Sequence, residues 1–185
     1  MNETVYKYVR DSETVITELM IPSYANFGGK IHGGTLLSLM DKVAYVCGSK
    51  HAGEYCVTAS IDTVDFLHPV DVGDLVSLMA SINYVGKSSM VIGIRVTSQN
   101  VKTQQEIHTN TSYFTMVAKD ENNKLSQVPG LILETPQEVR RFAEAIIRKQ
   151  LKHSFKQEIL KVKNEVDIQK ALDLLVNERC RVELK

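Results

Sequence analysis

Two glycines at the mouth of a helix, and an acid two turns further along it, are the residues of this chain best suited to chemistry. The pair Gly33-Gly34 precedes an unbroken helical run. The first turn of any helix carries backbone N–H groups without intrahelical partners, at the positive end of its dipole. Glycine leaves those amides bare, so a ligand oxygen can approach them. The same pair would serve equally well to let a helix pack tightly on a strand. Asp41 follows Gly34 by seven residues, which is two turns and within about 20° of the same face. It falls inside the apolar run Leu36–Met40–Val43, where an acid is costly unless it has a partner or a task. It is therefore either a buried structural acceptor or a carboxylate base or nucleophile in a partly desolvated cleft. Seven helical residues rise about 10 Å, so Gly34 and Asp41 of one chain cannot touch one carbonyl. Two such helices packed antiparallel about a twofold axis would bring Gly34 of one beside Asp41 of the other. The geometry predicts a composite site at a dimer interface.

Other constellations carry less. Gly86-Lys87-Ser88 imitates the end of a phosphate-binding loop, but Ser81 stands where the first glycine is required and the segment joins two strands, so a nucleotide triphosphatase is excluded. The turn amides and Lys87 could still meet a phosphate. His32 precedes the glycines and either polarises a ligand or simply caps the helix. Cys47 and His51 lie one turn apart, and two ligands without a third make no metal site, so no metal is expected. No G-x-S-x-G occurs, which leaves a nucleophile-elbow hydrolase unsupported.

Stepping along the chain, Glu13–Met20 reads as a strand that Pro22 ends, and four of the ten glycines crowd into Gly28–Gly34. From Thr35 to Ala52 apolar residues recur at 36, 39, 40, 43, 46 and 47, an amphipathic helix. Leu37, Ala44 and Tyr45 extend the apolar surface round a second side, predicting deep burial. The period then falls to two. Tyr55–Phe66 sets Val57, Ala59 and Ile61 against Thr58, Ser60 and Asp62. Leu75–Val85 sets Val76, Leu78, Ala80, Ile82 and Tyr84 against Ser77, Ser81 and Asn83. Ser89–Ser98 turns Met90, Ile92, Ile94 and Val96 inward, and Glu106–Ala118 turns Phe114, Met116 and Ala118 the same way. Such alternation predicts an antiparallel sheet with one buried face. Lys119–Leu133 reads as loop. Thr135-Pro136-Gln137-Glu138 has the form of a capping box opening a helix with Val139, Phe142, Ala143, Ile146 and Ile147 on one stripe. Asp167–Arg179 reads as a further helix with Ile168, Ala171, Leu172 and Leu175 on a stripe. The expected fold class is α+β, an antiparallel sheet wrapped about one central helix, with a C-terminal helical extension.

Composition bounds the function. The 185 residues suffice for one domain with a core. Lys plus Arg (22) balance Asp plus Glu (22), which with 6% aromatic residues and no tryptophan argues against a nucleic-acid partner. No apolar run reaches bilayer length and no secretory leader is legible, so no membrane partner is expected. Cys47, Cys56 and Cys180 are odd in number and far apart, which fits a reducing cytoplasm rather than a disulfide framework. The charge is uneven: residues 136–163 hold eight basic residues against three acids, a solvated helical face or a surface for a phosphate or an acidic neighbour.

Over roughly residues 10–135 the chain resembles the hotdog-fold acyl-CoA thioesterases, in the branch of small bacterial acyl-CoA hydrolases and the brain-type enzyme. The resemblance is carried by Pro22, Asn26, Gly29–Gly34, Leu36–Asp41, Val57–Asp62, Asp65-Phe66, Pro69, Gly73-Asp74 and Gly86–Met90. It implies a hotdog domain at 10–135 with a helical extension at 136–185. The implied assembly is a homo-oligomer of hotdog dimers, arranged as a trimer of dimers, that hydrolyses fatty acyl-CoA to fatty acid and CoA. Asp41 would be the base or nucleophile, Asn26 of the other subunit would hold the carbonyl or water, and the Gly34 N–H would stabilise the oxyanion. Thr58 would assist Asp41, while Gly33, Ser60 and the turn Gly86, Lys87, Ser88 and Ser89 would line the path of CoA. CoA enters only as part of the substrate, with no separate cofactor. Two alternatives stand beside this. A hotdog hydroxyacyl dehydratase needs a His–acid pair, for which His32 has no acid at suitable spacing. A non-catalytic acyl-CoA sensor could dispense with Asp41.

Overall fold

The computed structural model describes residues 5–165 and 167–184. They divide into two compact units, Met1–Ala145 and Ile146–Lys185. The first is built on a helix α1, Gly33–Ala52, and a five-stranded antiparallel sheet. In chain order the strands of the unit are β1 (Tyr6–Tyr8), β2 (Thr14–Leu19), β3 (Tyr55–Ile61), β4 (Leu75–Val85), β5 (Ser89–Gln99), β6 (Glu106–Lys119) and β7 (Gly130–Ile132). The large sheet runs β2-β4-β5-β6-β3, so β2 and β3 form its edges.

The alternation read from the sequence holds in the middle of the sheet. Val76, Leu78, Ala80 and Ile82 of β4, Met90, Ile92, Ile94 and Val96 of β5, and Phe114, Met116 and Ala118 of β6 are all buried. They face Leu36, Leu39, Met40, Val43, Ala44 and Cys47 of α1 in one apolar core. Each Val, Leu, Ile, Phe or Met side chain among them contributes roughly 1.5–3 kcal/mol on burial. The capping box also forms, with the Thr135 N–H donating to Glu138 Oε2 (3.0 Å) and the Glu138 N–H to Thr135 Oγ1 (3.2 Å). It opens α2, Pro136–Glu165.

Several expectations change. The helix is not apolar all round: Tyr45 and Asp41 are exposed, and Asp41 lies about 130° from the centre of the buried stripe at 100° per residue, not inside it. On β3 the faces are exchanged. Cys56 is buried while Ala59 and Ile61 are exposed. Thr58 pairs with Met116 and Ser60 with Thr115, which leaves Ala59 as the extra residue of a β-bulge. β3 ends at Ile61, and residues 62–67 continue along β6 through the bonds Asp62 N to Tyr113 O and Leu67 N to Thr109 O (each 2.9 Å). The second sheet face is not simply solvated. Ser81 and Asn83 are buried, Arg141 of α2 donates to Ser81 Oγ (3.4 Å), and Phe142 packs against Tyr84 at 5.1 Å between ring centroids. A bulge between Ile82 and Tyr84 turns that tyrosine outward. The face of α2 used within this unit is accordingly Arg141, Phe142 and Ala145, whereas Val139 is exposed, contrary to the expected stripe.

Two short strands escape the periodicity, because three residues display no period. β1 pairs in parallel with β7 inside the expected loop 119–133. Gly130 is needed there, since a Cβ would sit 2.4 Å from the Tyr6 ring. This pair closes the C-terminal end of α1: Lys7 Nζ donates to the His51 carbonyl (2.8 Å), and the His51 ring nitrogen Nε2 meets the Pro129 carbonyl at 3.0 Å. In the second unit, the remainder of α2 exposes Ile146, Ile147, Leu151 and Phe155, and α3 spans Ile168–Leu175 with Asp167 as its N-cap, Oδ1 accepting the Lys170 N–H at 2.9 Å. None of the helices among the described residues is long and apolar enough to cross a membrane.

His51 makes the fold sensitive to acid. Its ring is fully buried with Nδ1 unpartnered, and burial, aided by Lys7, holds its pKa below the ordinary 6.5. Below that value the unfolded chain takes up a proton that the folded ring resists, so stability is lost as pH falls from about 6.5 toward the lowered folded pKa. Thermal melts between pH 7.5 and 5 are expected to show a steeper decline for wild type than for His51→Gln. Equal slopes would remove the ring as the cause.

Candidate active site

Asp41 projects from the middle of α1 toward β3, where the Thr58 hydroxyl donates to its Oδ1 at 2.6 Å. The same hydroxyl lies 3.2 Å from Met116 Sδ. The inverted facing of β3 explains the meeting: Thr58, read as outward in the sequence, points to the helix, and the bulge at Ala59 follows at once. One carboxylate oxygen is thus held and the other is left to take a proton or attack. The carboxylate borders an open cleft of about 680 Å³ that Tyr45, Val46, Tyr55, Cys56, Val57 and Met116 help to line. This is a mainly apolar wall around one acid.

Asn26 sits at the base of a short loop. Its Oδ1 accepts the N–H groups of Gly28 (2.8 Å) and Lys30 (3.3 Å), and its backbone N–H donates to the Lys30 carbonyl (2.7 Å). Gly29 supplies the left-handed residue of that loop, with φ +76°. Because the oxygen closes the loop, the side-chain amide NH₂ is what Asn26 offers outward, and a donor is the group a carbonyl oxygen wants. The side chain is exposed.

The space left by the glycine pair is filled by rings of the same chain. His32 is the N-cap of α1, and its Nδ1 accepts the Gly34 N–H at 2.9 Å. A Cβ on Gly34 would lie 3.0 Å from that nitrogen, and one on Gly33 would lie 3.2 Å from the Phe66 ring. The two glycines therefore seat two rings of their own chain, His32 and Phe66, over the end of the helix. The Gly34 amide is not bare in this state. Among the described residues His32 bonds a backbone amide through its ring and no acid.

The turn Gly86–Ser89 closes the β4–β5 hairpin. Gly86 N–H donates to the Ser89 carbonyl (2.7 Å), and the carbonyls of Lys87 and Ser88 accept from Val128 (3.0 Å) and Ala118 (2.9 Å). Lys87 is exposed, and Ser60 is half-buried beside the bulge. Of the residues singled out in the sequence, the structure joins Asp41 directly to Thr58. Asn26 and Gly34 make their side-chain and cap hydrogen bonds within their own segments, and the turn is tied to β6 and the loop after it through Ala118 and Val128. His32 caps the helix, as one of its two readings in the sequence held, and the residue missed was Phe66 as the cover on Gly33, a contact 33 positions away with no local signal.

Cysteine chemistry is disfavoured: burial pushes the Cys47 thiol up to about 12 and raises that of Cys56. Cys47 and His51 do not gather a third ligand, and among the described residues no group of three His, Cys, Asp or Glu is placed to hold a metal ion.

Comparison with known proteins agrees with this architecture. The thioesterase superfamily matches residues 28–104. The protein VdlD of Helicobacter pylori is 44% identical over 76% of this chain and 80% of its own length. The crystal structure of an apo-hexameric acyl-CoA thioesterase superposes with a TM-score of 0.80 at 36% identity, covering 82% of this chain and 97% of that one. An acyl-CoA hydrolase from Staphylococcus aureus, solved with butyryl-CoA and CoA, gives a TM-score of 0.75 at 29% identity, covering 86% of this chain and 99% of the other. Further structures of that hydrolase replace an asparagine, an aspartate and a threonine by alanine at intervals of 15 and 17 residues, the intervals that separate Asn26, Asp41 and Thr58 here. The fold is a hotdog, and the chain belongs to the acyl-CoA thioester hydrolases of the thioesterase superfamily.

The dual use of the Asn26 side chain is open to test by hydrogen exchange. Asn26→Ala should speed exchange of the Gly28 and Lys30 amides by about five- to tenfold, the equivalent of one lost hydrogen bond. Asn26→Asp, which keeps an acceptor oxygen, should leave both near wild type. Equal protection in all three proteins would show that the side chain does not close the loop.

Proposed function

We propose that this protein hydrolyses fatty acyl-CoA thioesters to free acid and CoA, with Asp41 as the acting carboxylate. The observation that carries the proposal is the Thr58–Asp41 hydrogen bond of 2.6 Å, which fixes a lone acid at the edge of an apolar cleft. Family membership supplies the reaction class, and the matching intervals in the staphylococcal enzyme support the three residues chosen.

In this reading an acyl chain lies along the apolar wall and the thioester carbonyl reaches the Asp41 oxygen that Thr58 does not engage. Asp41 either takes a proton from water, which adds to the carbonyl carbon, or adds to that carbon itself, the acyl-enzyme then being opened by water. The C–S bond breaks in both routes and CoA leaves as a thiolate, which near neutral pH needs no strong acid to assist it. Charge that develops on the carbonyl oxygen is met by the Gly34 N–H and by the Asn26 amide. A positioned base is worth about 10²–10⁴ in rate and an oxyanion donor about 10²–10³.

Gly34 and Asp41 lie about 10 Å apart along one helix, so the reading requires the site to form between two subunits. The edge position of β3, with Tyr45 and Tyr55 exposed beside it at 6.2 Å between centroids, supports pairing of two copies there. A trimer of such dimers is proposed by analogy with the hexameric relative. The CoA moiety is assigned to Gly33, Ser60 and the turn Gly86–Ser89, with the Lys87 ammonium toward its phosphates and CoA entering as substrate only. Residues 10–135 form the hydrolase domain in this proposal and 136–185 a helical extension. Three cysteines without a disulfide favour a cytoplasmic setting. The bond His32 makes is to the Gly34 backbone amide, not the His–acid pair a dehydratase would use.

Thiol release from short-, medium- and long-chain acyl-CoAs tests this. Asp41→Asn should lower kcat/KM by at least about 100-fold with the melting temperature retained, and Asn26→Asp by about 10–100-fold. Thr58→Val should cost about tenfold, through loss of orientation rather than of the acid. A wild-type protein that binds acyl-CoA without cleaving it would replace hydrolysis by sensing.

A further inference from the structure

We infer that His32 is a displaceable stopper on the Gly34 amide: the imidazole occupies the position a carbonyl oxygen must take, and substrate turns over only once that ring has left. The inference rests on the hydrolase reading and adds a positioning residue to it.

The geometry is specific. His32 keeps an extended backbone (φ −66°, ψ 128°) as the N-cap, and its Nδ1 receives the Gly34 N–H at 2.9 Å. The absence of a Cβ on Gly34 creates the seat, since that atom would come within 3.0 Å of Nδ1 and 3.2 Å of Cε1. Beside it the Phe66 ring lies against Gly33, where a Cβ would come within 3.2 Å of the ring. Residues 62–67 that carry Phe66 are pinned to β6 through backbone bonds, and Ser112 Oγ donates to the Thr63 carbonyl at 3.3 Å. Phe66 is thus on a fixed support, whereas the His32 side chain is solvent-exposed.

One N–H serves one well-aligned acceptor. A neutral imidazole nitrogen is a stronger acceptor than a thioester carbonyl, so in the ground state the ring holds the amide. An oxyanion is a stronger acceptor than either, because hydrogen bonds to charged groups are roughly twice as strong. The exchange therefore becomes favourable as the reaction proceeds. While the site is empty, the same ring satisfies an amide that would otherwise lack a partner and secures the start of α1. Stability of the helix and readiness of the oxyanion donor compete for one hydrogen.

That competition separates a stopper from an ordinary cap. His32→Ala and His32→Phe both remove the acceptor, and the phenylalanine retains a ring. Each should lower the melting temperature and at the same time raise kcat/KM for acyl-CoA by about two- to tenfold, the range expected for one net hydrogen bond. His32→Asn offers an acceptor oxygen to the same amide and should return both quantities toward wild type. A direct reading comes from the ¹⁵N–¹H resonance of Gly34 in wild type, which should shift when a ketone analogue of acyl-CoA, with methylene in place of the thioester sulfur, is added. A fall or no change in kcat/KM for both acceptor-free variants, or a Gly34 resonance that ignores the analogue, overturns the stopper while leaving hydrolysis standing. Wild type that releases no thiol overturns the hydrolase reading and this inference with it.

Discussion

The apolar stripe of α1, buried in the concave face of the sheet, is the constraint on which everything else depends. Met40, Val43, Ala44 and Cys47 are wholly inaccessible, against Leu78, Ile92, Ile94 and Phe114, which are equally so. At 100° per residue, burial of Met40 and Val43 leaves no freedom in the direction of Asp41. The carboxylate must emerge at the margin of the stripe, toward β3. The same packing sets the helix start beside residues 62–67 and its end beneath β1 and β7. A core with such density does not deform gradually, so the chemical groups inherit its rigidity.

Around that rigid helix the groups proposed to act on the thioester are supplied by segments of quite different character. Thr58 comes from an edge strand interrupted by a bulge, Asn26 from a loop closed by its own side chain, and the Gly34 amide from a helix cap. Bulges and caps are places where regular hydrogen bonding is given up locally, which is how a strand or helix end can re-aim a group. The rest of β3 and the central strands keep their ladders and hold these departures in place.

Much of the fold was legible in the residues. Period two located β4, β5 and β6 with their buried sets, period 3.6 located α1, and the Thr135–Glu138 spacing located the start of α2. Asp41 stood out because an acid among apolar neighbours on a helix is unusual. The shortfalls have common physical causes. β3 was assigned the wrong inward face because an edge strand with polar residues turned to the helix shows the same alternation as one with apolar residues turned there. β1 and β7 were invisible because three residues carry no period. The stripe on α2 was misplaced because Arg141 turns toward the sheet and bonds Ser81, which hydropathy does not record.

The amino-acid sequence by itself determined the long elements, the buried face of the central strands and the prominence of Asp41, because these follow from local periodicity and from the cost of placing polar groups among apolar ones, whereas Asn26 and Thr58 entered through the family resemblance. Tertiary structure alone decided that Thr58 meets Asp41, that Asp41 faces solvent in the single chain, and that Phe66 occupies the space Gly33 vacates. Those outcomes depend on which surfaces of distant segments come together, and contacts between residues 17 or 33 positions apart leave no period in the sequence from which to read them.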